Sequence, residues 1–402
     1  MGLSKWRNQA LLLLGIGVSN VGAWVYLIAM NLIVLKMTGS PLAVSGLYIL
    51  VPLAALFTNS WAGSLVDRLN QKKLMIFLDI FRAVVIFALP FFDSLFLLYV
   101  LVFFINAASA IFGPASMVYM TKLIPSRDSQ RFNALRNFIN SCGFILGPSI
   151  AGALFLIGSP YFAIYMNAAA LCVSALIIMF LPNLKEHAED VMQETFSLKS
   201  VAKDWKAVLV YGKAHRHISI MYLLFGTVTV FMSGLDSMEV AFASDVLLLS
   251  ESAYGFLVSI AGMGIVAGSI INAFFAQRLK INVLIGFGAL LTPVGYIIFS
   301  FSYEFTTAAI GFFLLTFALS FANIGFLTFC QNNIPVHMLG RFSSVFGMLE
   351  AAMIILFTIS IGWSAEILEV RIVYQVGSAA FLLLGLMILF FVRRHSKESY
   401  YK

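Results

Sequence analysis

Gly63-Ser64-Leu65-Val66-Asp67-Arg68-Leu69-Asn70-Gln71-Lys72-Lys73 divides two long apolar runs, Leu42–Val66 before it and Leu74–Phe92 after it. A helix needs roughly 20 apolar residues to cross a ~30 Å hydrocarbon core, and each run reaches about that length. A short basic connection between two such runs reads as a turn at the cytoplasmic face of a membrane, where Lys and Arg collect. There Arg68, Lys72 and Lys73 can meet anionic headgroups.

Composition carries the reading to the whole chain. Of 402 residues, 61% are hydrophobic and 11% charged, against about 25% charged in an ordinary soluble domain. A soluble globule of this length has too little interior to hide that much apolar surface, so lipid is an expected partner. Further spans are predicted at Gln9–Leu35, Leu95–Met120, Phe138–Ile157 and Tyr161–Leu181, then at Ile218–Ala243, Tyr254–Phe275, Ile281–Phe301, Thr306–Cys330, Phe342–Trp363 and Val373–Val392. The polar stretch Pro182–His217 separates the two sets. An all-α membrane protein of 12 transmembrane helices is expected. Residues 1–181 form an N-terminal six-helix bundle, 182–217 a cytoplasmic central loop, and 218–402 a C-terminal six-helix bundle with a short tail. Within the loop, Phe196, Leu198, Val201, Trp205 and Val208 alternate with charges in a way that suits an amphipathic helix along the membrane.

With the N-terminus in the cytoplasm, 22 of the 25 basic residues fall in cytoplasmic segments. Outside connections keep only Lys36 and Arg371, and Arg82 lies within a span. Both termini and the central loop are therefore expected inside. The same asymmetry explains the formal charge of +7 without a nucleic-acid partner. Cys142, Cys172 and Cys330 sit in apolar stretches with no metal-ligand spacing, so no metal site is expected. No cleavable leader is expected at the N-terminus, and Trp6 stands where a myristoylation signal needs Ser or Thr.

The two halves are weakly related. Ile124-Pro125 followed by Arg131-Phe132 recurs 210 residues later as Ile334-Pro335 and Arg341-Phe342, and Arg68-Leu69 recurs at the same offset as Arg278-Leu279. Parallel six-helix repeats imply pseudo-symmetric bundles with a substrate path between them and alternating access by rocking.

Two segments carry conformational chemistry. In the opening loop, Gly63 admits a close helix neighbour, and Asp67 can accept from a helix N-terminus or pair with a cation. The alternative is a plain topology signal, a basic cytoplasmic loop after a Gly-containing helix. In the fifth span, Gly143, Gly147 and Gly152 offer a flat packing face, and Pro148 removes a backbone donor and bends the helix. A kinked, tightly packed helix without further role is the alternative there.

The first segment resembles the signature loop of the major facilitator superfamily, with Gly63, Asp67, Arg68, Lys72 and Lys73 in register. The resemblance implies the major facilitator fold and makes the loop a latch that stabilises an outward-facing state. Asn70 departs from the pattern, and the second-half counterpart is degenerate, with Ala273 and Gln277 in place of Gly63 and Asp67. Gly143 to Gly152 resembles the fifth-helix antiporter motif of drug exporters, with Ala151 replacing one Gly. Thr38-Gly39-Ser40, Asp79 with Arg82, and Gly340-Arg341-Phe342 look like the macrolide-efflux branch and related siderophore exporters.

Charges inside spans are costly and mark candidate function. Asp79 and Arg82, three apart, share a helix face and read either as a structural pair or as proton-coupling groups. Asp236 and Glu239, also three apart, read as proton carriers or as the lining of a solvated mouth. Glu350 lies deep in span eleven with no basic neighbour in sequence and is the first candidate to take up and release a proton. His187, His215, His217, His337 and His395 all fall in or beside cytoplasmic loops. Gly262-x-Gly264-x-x-x-Gly268 lies inside a span with no preceding strand, so it predicts helix packing, not a nucleotide site. With no phosphate loop in sight, no cofactor is expected and a proton gradient is the expected energy source.

The expected function is export of amphipathic or hydrophobic small molecules by proton antiport, of the multidrug or macrolide type, from a bacterial cytoplasmic membrane by a functional monomer. A dedicated exporter of a siderophore or other secreted metabolite is the alternative; a nutrient or lipid transporter fits the fifth-helix motif less well. A membrane enzyme would need clustered acids with His or metal ligands, and the acid pairs here lack them.

Overall fold

The computed structural model describes residues 3–59, 62, 66, 69–124, 126–184, 205, 206, 208, 210–275, 279–393, 400 and 401. The described chain is helical. The first six long helices are α1 (Leu3–Thr38), α2 (Pro41–Asn59), α3 (Gln71–Ala88), α4 (Leu95–Leu123), α5 (Ser126–Ile157) and α6 (Pro160–Met179). The second six are α7 (Arg216–Asp236), α8 (Glu251–Phe275), α9 (Ile281–Ser300), α10 (Phe305–Asn333), α11 (Val336–Ile367) and α12 (Val370–Val392). Among the described residues, 12 segments are long and apolar enough to cross a membrane. Each coincides with an expected span.

Local chemistry sets the ends. Gly39 closes α1 with φ +64°, a left-handed conformation that costs a glycine nothing. Pro41 and Pro160 open α2 and α6, where a missing N–H does no harm. Asn70 caps α3 by accepting from the Lys73 amide at 3.1 Å. After Asp236, α7 breaks at Ser237-Met238, resumes over Glu239–Ala241 and ends in a π turn, Phe242–Val246. Neither the break nor the turn has a sequence signal.

The chain divides into two compact units. The first comprises Met1–Thr38 and Leu50–Phe196, the second Gly39–Ile49 and Ser197–Lys402. In the first, α5 and α6 lie along α1, and α3 lies between α4 and α6. Its core joins Leu12 and Ile16 of α1, Leu74 and Leu78 of α3, and Ala115 and Tyr119 of α4. In the second, α9 packs on α10 and α12, α8 on α10, and α7 on α11. The start of α2 belongs to this unit, where the Ser45 and Ser237 hydroxyls are 3.1 Å apart and Ser40 hydrogen-bonds Glu366.

Candidate transport and coupling sites

In the first unit, α3 carries Asp79 and Arg82 inward. Both are buried, and they form a salt bridge one helical turn apart. Ser174 of α6 donates to the second Asp79 oxygen at 2.8 Å, and Arg82 donates to Ser109 of α4 at 3.2 Å. The guanidinium lies 4.7 Å from the centre of the Phe112 ring. The expected pair is thus present, and two serines and an aromatic face that sequence spacing cannot supply surround it, while Arg82 Nε has no hydrogen-bond partner among the described residues.

Of the loop residues, Gly63, Asp67 and Arg68 lie outside the described residues. So do Gln277 and Arg278 of its second-half counterpart. Lys72 reaches back to the end of α6 and donates to the Leu181 carbonyl at 2.6 Å, a cation on a helix C-terminus. Lys73 is exposed. Gln71, which carries no motif, holds the corner: it donates to the Val66 carbonyl at 2.8 Å and accepts from Lys122 of α4 at 3.2 Å.

The α5 segment sits hard against α1. A Cβ on Gly147 would lie 2.3 Å from Trp24 Cβ and 3.1 Å from the Val21 carbonyl oxygen; one on Gly143 would lie 2.8 Å from the Asn20 amide nitrogen. Asn20 donates to Asn140 at 3.0 Å, and the Trp24 and Phe144 rings meet edge-on at 4.4 Å. Pro148 and Gly152 are buried, and α5 continues through Pro148. A glycine face also serves α8, where a Cβ on Gly264 would fall 2.5 Å from the Phe313 carbonyl oxygen of α10. That is the helix-packing reading of Gly262 to Gly268.

In the second unit, Asp236 and Glu239 flank the break after α7, so their spacing of three is not a continuous helix face. Tyr296 of α9 donates to Asp236 at 2.6 Å, and Tyr254 of α8 hydrogen-bonds Glu239. Tyr374 of α12 faces both carboxyls. All three tyrosines are at most 1% exposed, while the two carboxylates are half-buried. Among the described residues no basic side chain pairs with either acid. The tyrosine box escaped the sequence reading; its one signal was three phenols in apolar spans, each needing a hydrogen-bond partner. Glu350 of α11 is half-buried and hydrogen-bonds Thr229 of α7. Gly226 faces it, leaving its Oε2 3.4 Å from where a Cβ would stand.

His217, at the start of α7, is buried among aromatic rings. It stacks on Phe391 at 4.5 Å and shares a 2.9 Å hydrogen bond with the Tyr401 hydroxyl. Asn333 of α10 donates to the Tyr400 carbonyl at 2.9 Å, anchoring the C-terminal residues. Burial pushes the Tyr401 hydroxyl above the ordinary tyrosine range. His187 and His395 lie outside the described residues.

Three comparisons bear on this arrangement. The sequence model described as Major Facilitator Superfamily matches residues 12–358. The uncharacterized MFS-type transporter YfiS of Bacillus subtilis is 25% identical over 404 residues, spanning 96% of this chain and 94% of its own. The putative bacilysin exporter BacE of Bacillus amyloliquefaciens is 29% identical over 174 residues, 41% of this chain and 43% of its own. Among solved structures, the nucleoside transporter NupG superposes with a TM-score of 0.77 at 15% identity, covering 98% of this chain and all 100% of NupG. A bacterial homologue of the iron transporter ferroportin gives 0.72 at 16% identity, covering 98% and 100%. At such identity these structural likenesses concern the fold alone.

Proposed function

We propose a direction and a driving ion for this chain, which belongs to the Major Facilitator Superfamily and is a multi-pass membrane secondary transporter of small molecules. It exports amphipathic or hydrophobic compounds across a bacterial cytoplasmic membrane in exchange for protons, by alternating access. The observation that carries export is the α5 segment, whose Gly143 and Gly147 seat it directly on α1 just before Pro148. That arrangement fits the exporter motif the segment resembles. Gly63, Asp67, Arg68, Lys72 and Lys73 serve as the conformational latch, both termini face the cytoplasm, and the monomer suffices.

Protons are the driving ion because the spans hold carboxyls in place of any nucleotide site. Glu350, Asp236 and Glu239 are hydrogen-bonded to hydroxyls, and a hydroxyl can donate to a carboxylate or accept from a carboxylic acid. Each can therefore change charge without stranding a partner. A second reading, a dedicated exporter of one secreted metabolite, is favoured by the name of the part-length relative, a putative bacilysin exporter. Everted vesicles with an acid interior test both. A panel of lipophilic compounds should accumulate in them, and a protonophore or Glu350→Gln should abolish accumulation. Accumulation of a single secreted compound would favour the second reading, and accumulation indifferent to the protonophore would remove proton coupling.

A further inference from the structure

Asn20 of α1 and Asn140 of α5 both belong to the first unit. The Asn20 amide nitrogen donates to Asn140 Oδ1 at 3.0 Å and lies 3.5 Å from the Asn140 backbone carbonyl oxygen. Asn140 is exposed and Asn20 half-buried. Their depth follows from α6, which runs along α1. Its 20 residues, Pro160–Met179, rise about 30 Å at 1.5 Å each, the thickness of a hydrocarbon core. Near the inner end of α6, a Cβ on Gly15 would lie 3.3 Å from Ile178 Cγ1. Towards the outer end, one on Gly22 would lie 3.3 Å from Ala170 Cβ and 2.4 Å from Asn167 Oδ1. Asn20 falls between these two levels, about 15 Å from either end of α6. Secondary transporters bind substrate near this depth.

An exposed amide at the middle of a bilayer is expensive against lipid, which offers its N–H and C=O no partner. Polar side chains in spans face the bundle interior or a water-filled path instead. The pair therefore marks a wet face of α1 and α5. The shared hydrogen bond leaves Asn20 Oδ1 and the Asn140 amide nitrogen with no partner among the described residues. A tie between helices needs only the shared bond; here an acceptor and a donor are left over on an accessible pair. α5 makes room for the arrangement at Gly143, where a Cβ would fall 2.8 Å from the Asn20 amide nitrogen. One turn further out on the same two helices stand Trp24 and Phe144, both half-buried, their rings edge-on at 4.4 Å. A spacing of four keeps each ring on the face of its asparagine. One turn the other way, Arg136 donates to Met117 Sδ at 3.9 Å. That cation repels a positively charged ligand at the amides.

We propose that Asn20 and Asn140, with Trp24 and Phe144, form a binding site for an uncharged molecule that carries an amide group beside an apolar ring. The ligand N–H donates to Asn20 Oδ1, its carbonyl accepts from the Asn140 amide, and its ring lies against the aromatic pair. The role of that molecule as cargo rests on the export reading; the existence of the site does not, so the test measures binding. Purified protein in nanodiscs is equilibrated with 1-naphthaleneacetamide or with its N,N-dimethyl derivative, which keeps the carbonyl and lacks the N–H, and protein-free nanodiscs are subtracted. One net hydrogen bond predicts about fivefold tighter binding of the primary amide. Asn20→Ala should erase that preference. Asn140→Ala should weaken both amides about fivefold and keep the preference. Thermal unfolding checks that each variant is folded, and should Asn20→Ala fail, Asn140→Ala still decides. Equal binding of the two amides by the wild-type protein overturns the proposal, as does a preference that survives in folded Asn20→Ala. So does an Asn140→Ala protein that loses stability yet binds both amides as the wild type does, the result a mere tie between α1 and α5 would give. The expected pattern in a protein that fails the vesicle assay would sink the export reading and leave the site standing.

Discussion

Gly147→Ala adds one methyl group where α5 crosses α1. The new Cβ would sit 2.3 Å from Trp24 Cβ and 3.1 Å from the Val21 carbonyl oxygen, whereas carbon atoms rest about 3.5–4.0 Å apart. Trp24 Cβ is bound to its backbone and has no rotamer of escape. The helices must separate by roughly 1.2–1.7 Å, the shortfall from normal contact. Overpacking of this kind costs about 1–3 kcal/mol. Gly113→Ala and Gly347→Ala are matched controls, because a Cβ at either would meet nothing within 4 Å. Each should be neutral or slightly stabilising, since Ala is the better helix former by about 1 kcal/mol. Thermal unfolding of the purified variants in one detergent reads the difference. Gly147→Ala should lower Tm by several degrees relative to both controls. Trp24→Gly in the same chain should recover part of the loss, whereas Trp24→Ala, which keeps Cβ, should not. A Gly147→Ala protein as stable as the controls would refute the close approach of α1 and α5, and with it the structural basis for the export assignment.

Other outcomes follow from named contacts. Asp67→Asn should reach the membrane in normal amounts and transport more slowly, as measured in vesicles, if the loop acts as a latch. Tyr401→Phe should cost about 1 kcal/mol for the lost hydrogen bond to His217, and Tyr401→Ala clearly more, because Tyr401 is buried against Phe329; unfolding in detergent separates the two. In a chain free of native cysteines, Lys73→Cys should resist a membrane-impermeant thiol reagent in intact cells and Ser159→Cys should react; the reverse pattern overturns the orientation. Asp79→Asn strands the Arg82 charge and should destabilise by about 3–5 kcal/mol, whereas Glu350→Gln should unfold near the wild-type temperature and lose proton-driven transport.

The spans were legible because the bilayer demands the same thing of every crossing segment, an apolar run of nearly fixed length. Leu95 to Leu123 and Ile281 to Ser300 announce themselves by composition, and their helices begin within a residue of where the apolar runs do. The Asp79–Arg82 pair was legible for a related reason, since a spacing of three brings two side chains together on any helix. Partners from other helices were not legible. Nothing in the sequence ties Tyr296 to Asp236, Thr229 to Glu350, or Trp24 to Gly147, because each contact depends on which helices are neighbours and how they are rotated. Asn20 and Asn140 were missed for the same reason. A single amide in an apolar run looks like a tolerated polar residue until a second one proves to stand beside it.

The acids within the spans are compensated in two ways, and the difference bears on which of them can work. Asp79 is buried and is held by a cation and a serine. Protonating it would leave Arg82 unpaired in an apolar interior, where an isolated charge is at its most expensive. Such a pair resists a change of charge and is suited to holding α3, α4 and α6 in register. Asp236 and Glu239 have tyrosine hydroxyls instead, and Glu350 has a threonine hydroxyl. Those partners turn to suit either protonation state at the loss of no full charge. The two acids beside the α7 break also repel each other when both are ionised, and a proton on either one removes that repulsion. The break itself lets their relative position shift without unwinding an intact helix. Proton binding at this point would therefore act directly on the geometry of α7, which packs on α11, the helix that carries Glu350. On the proposed proton coupling, the second unit would hold both the groups that change charge and the irregular backbone that responds to the change.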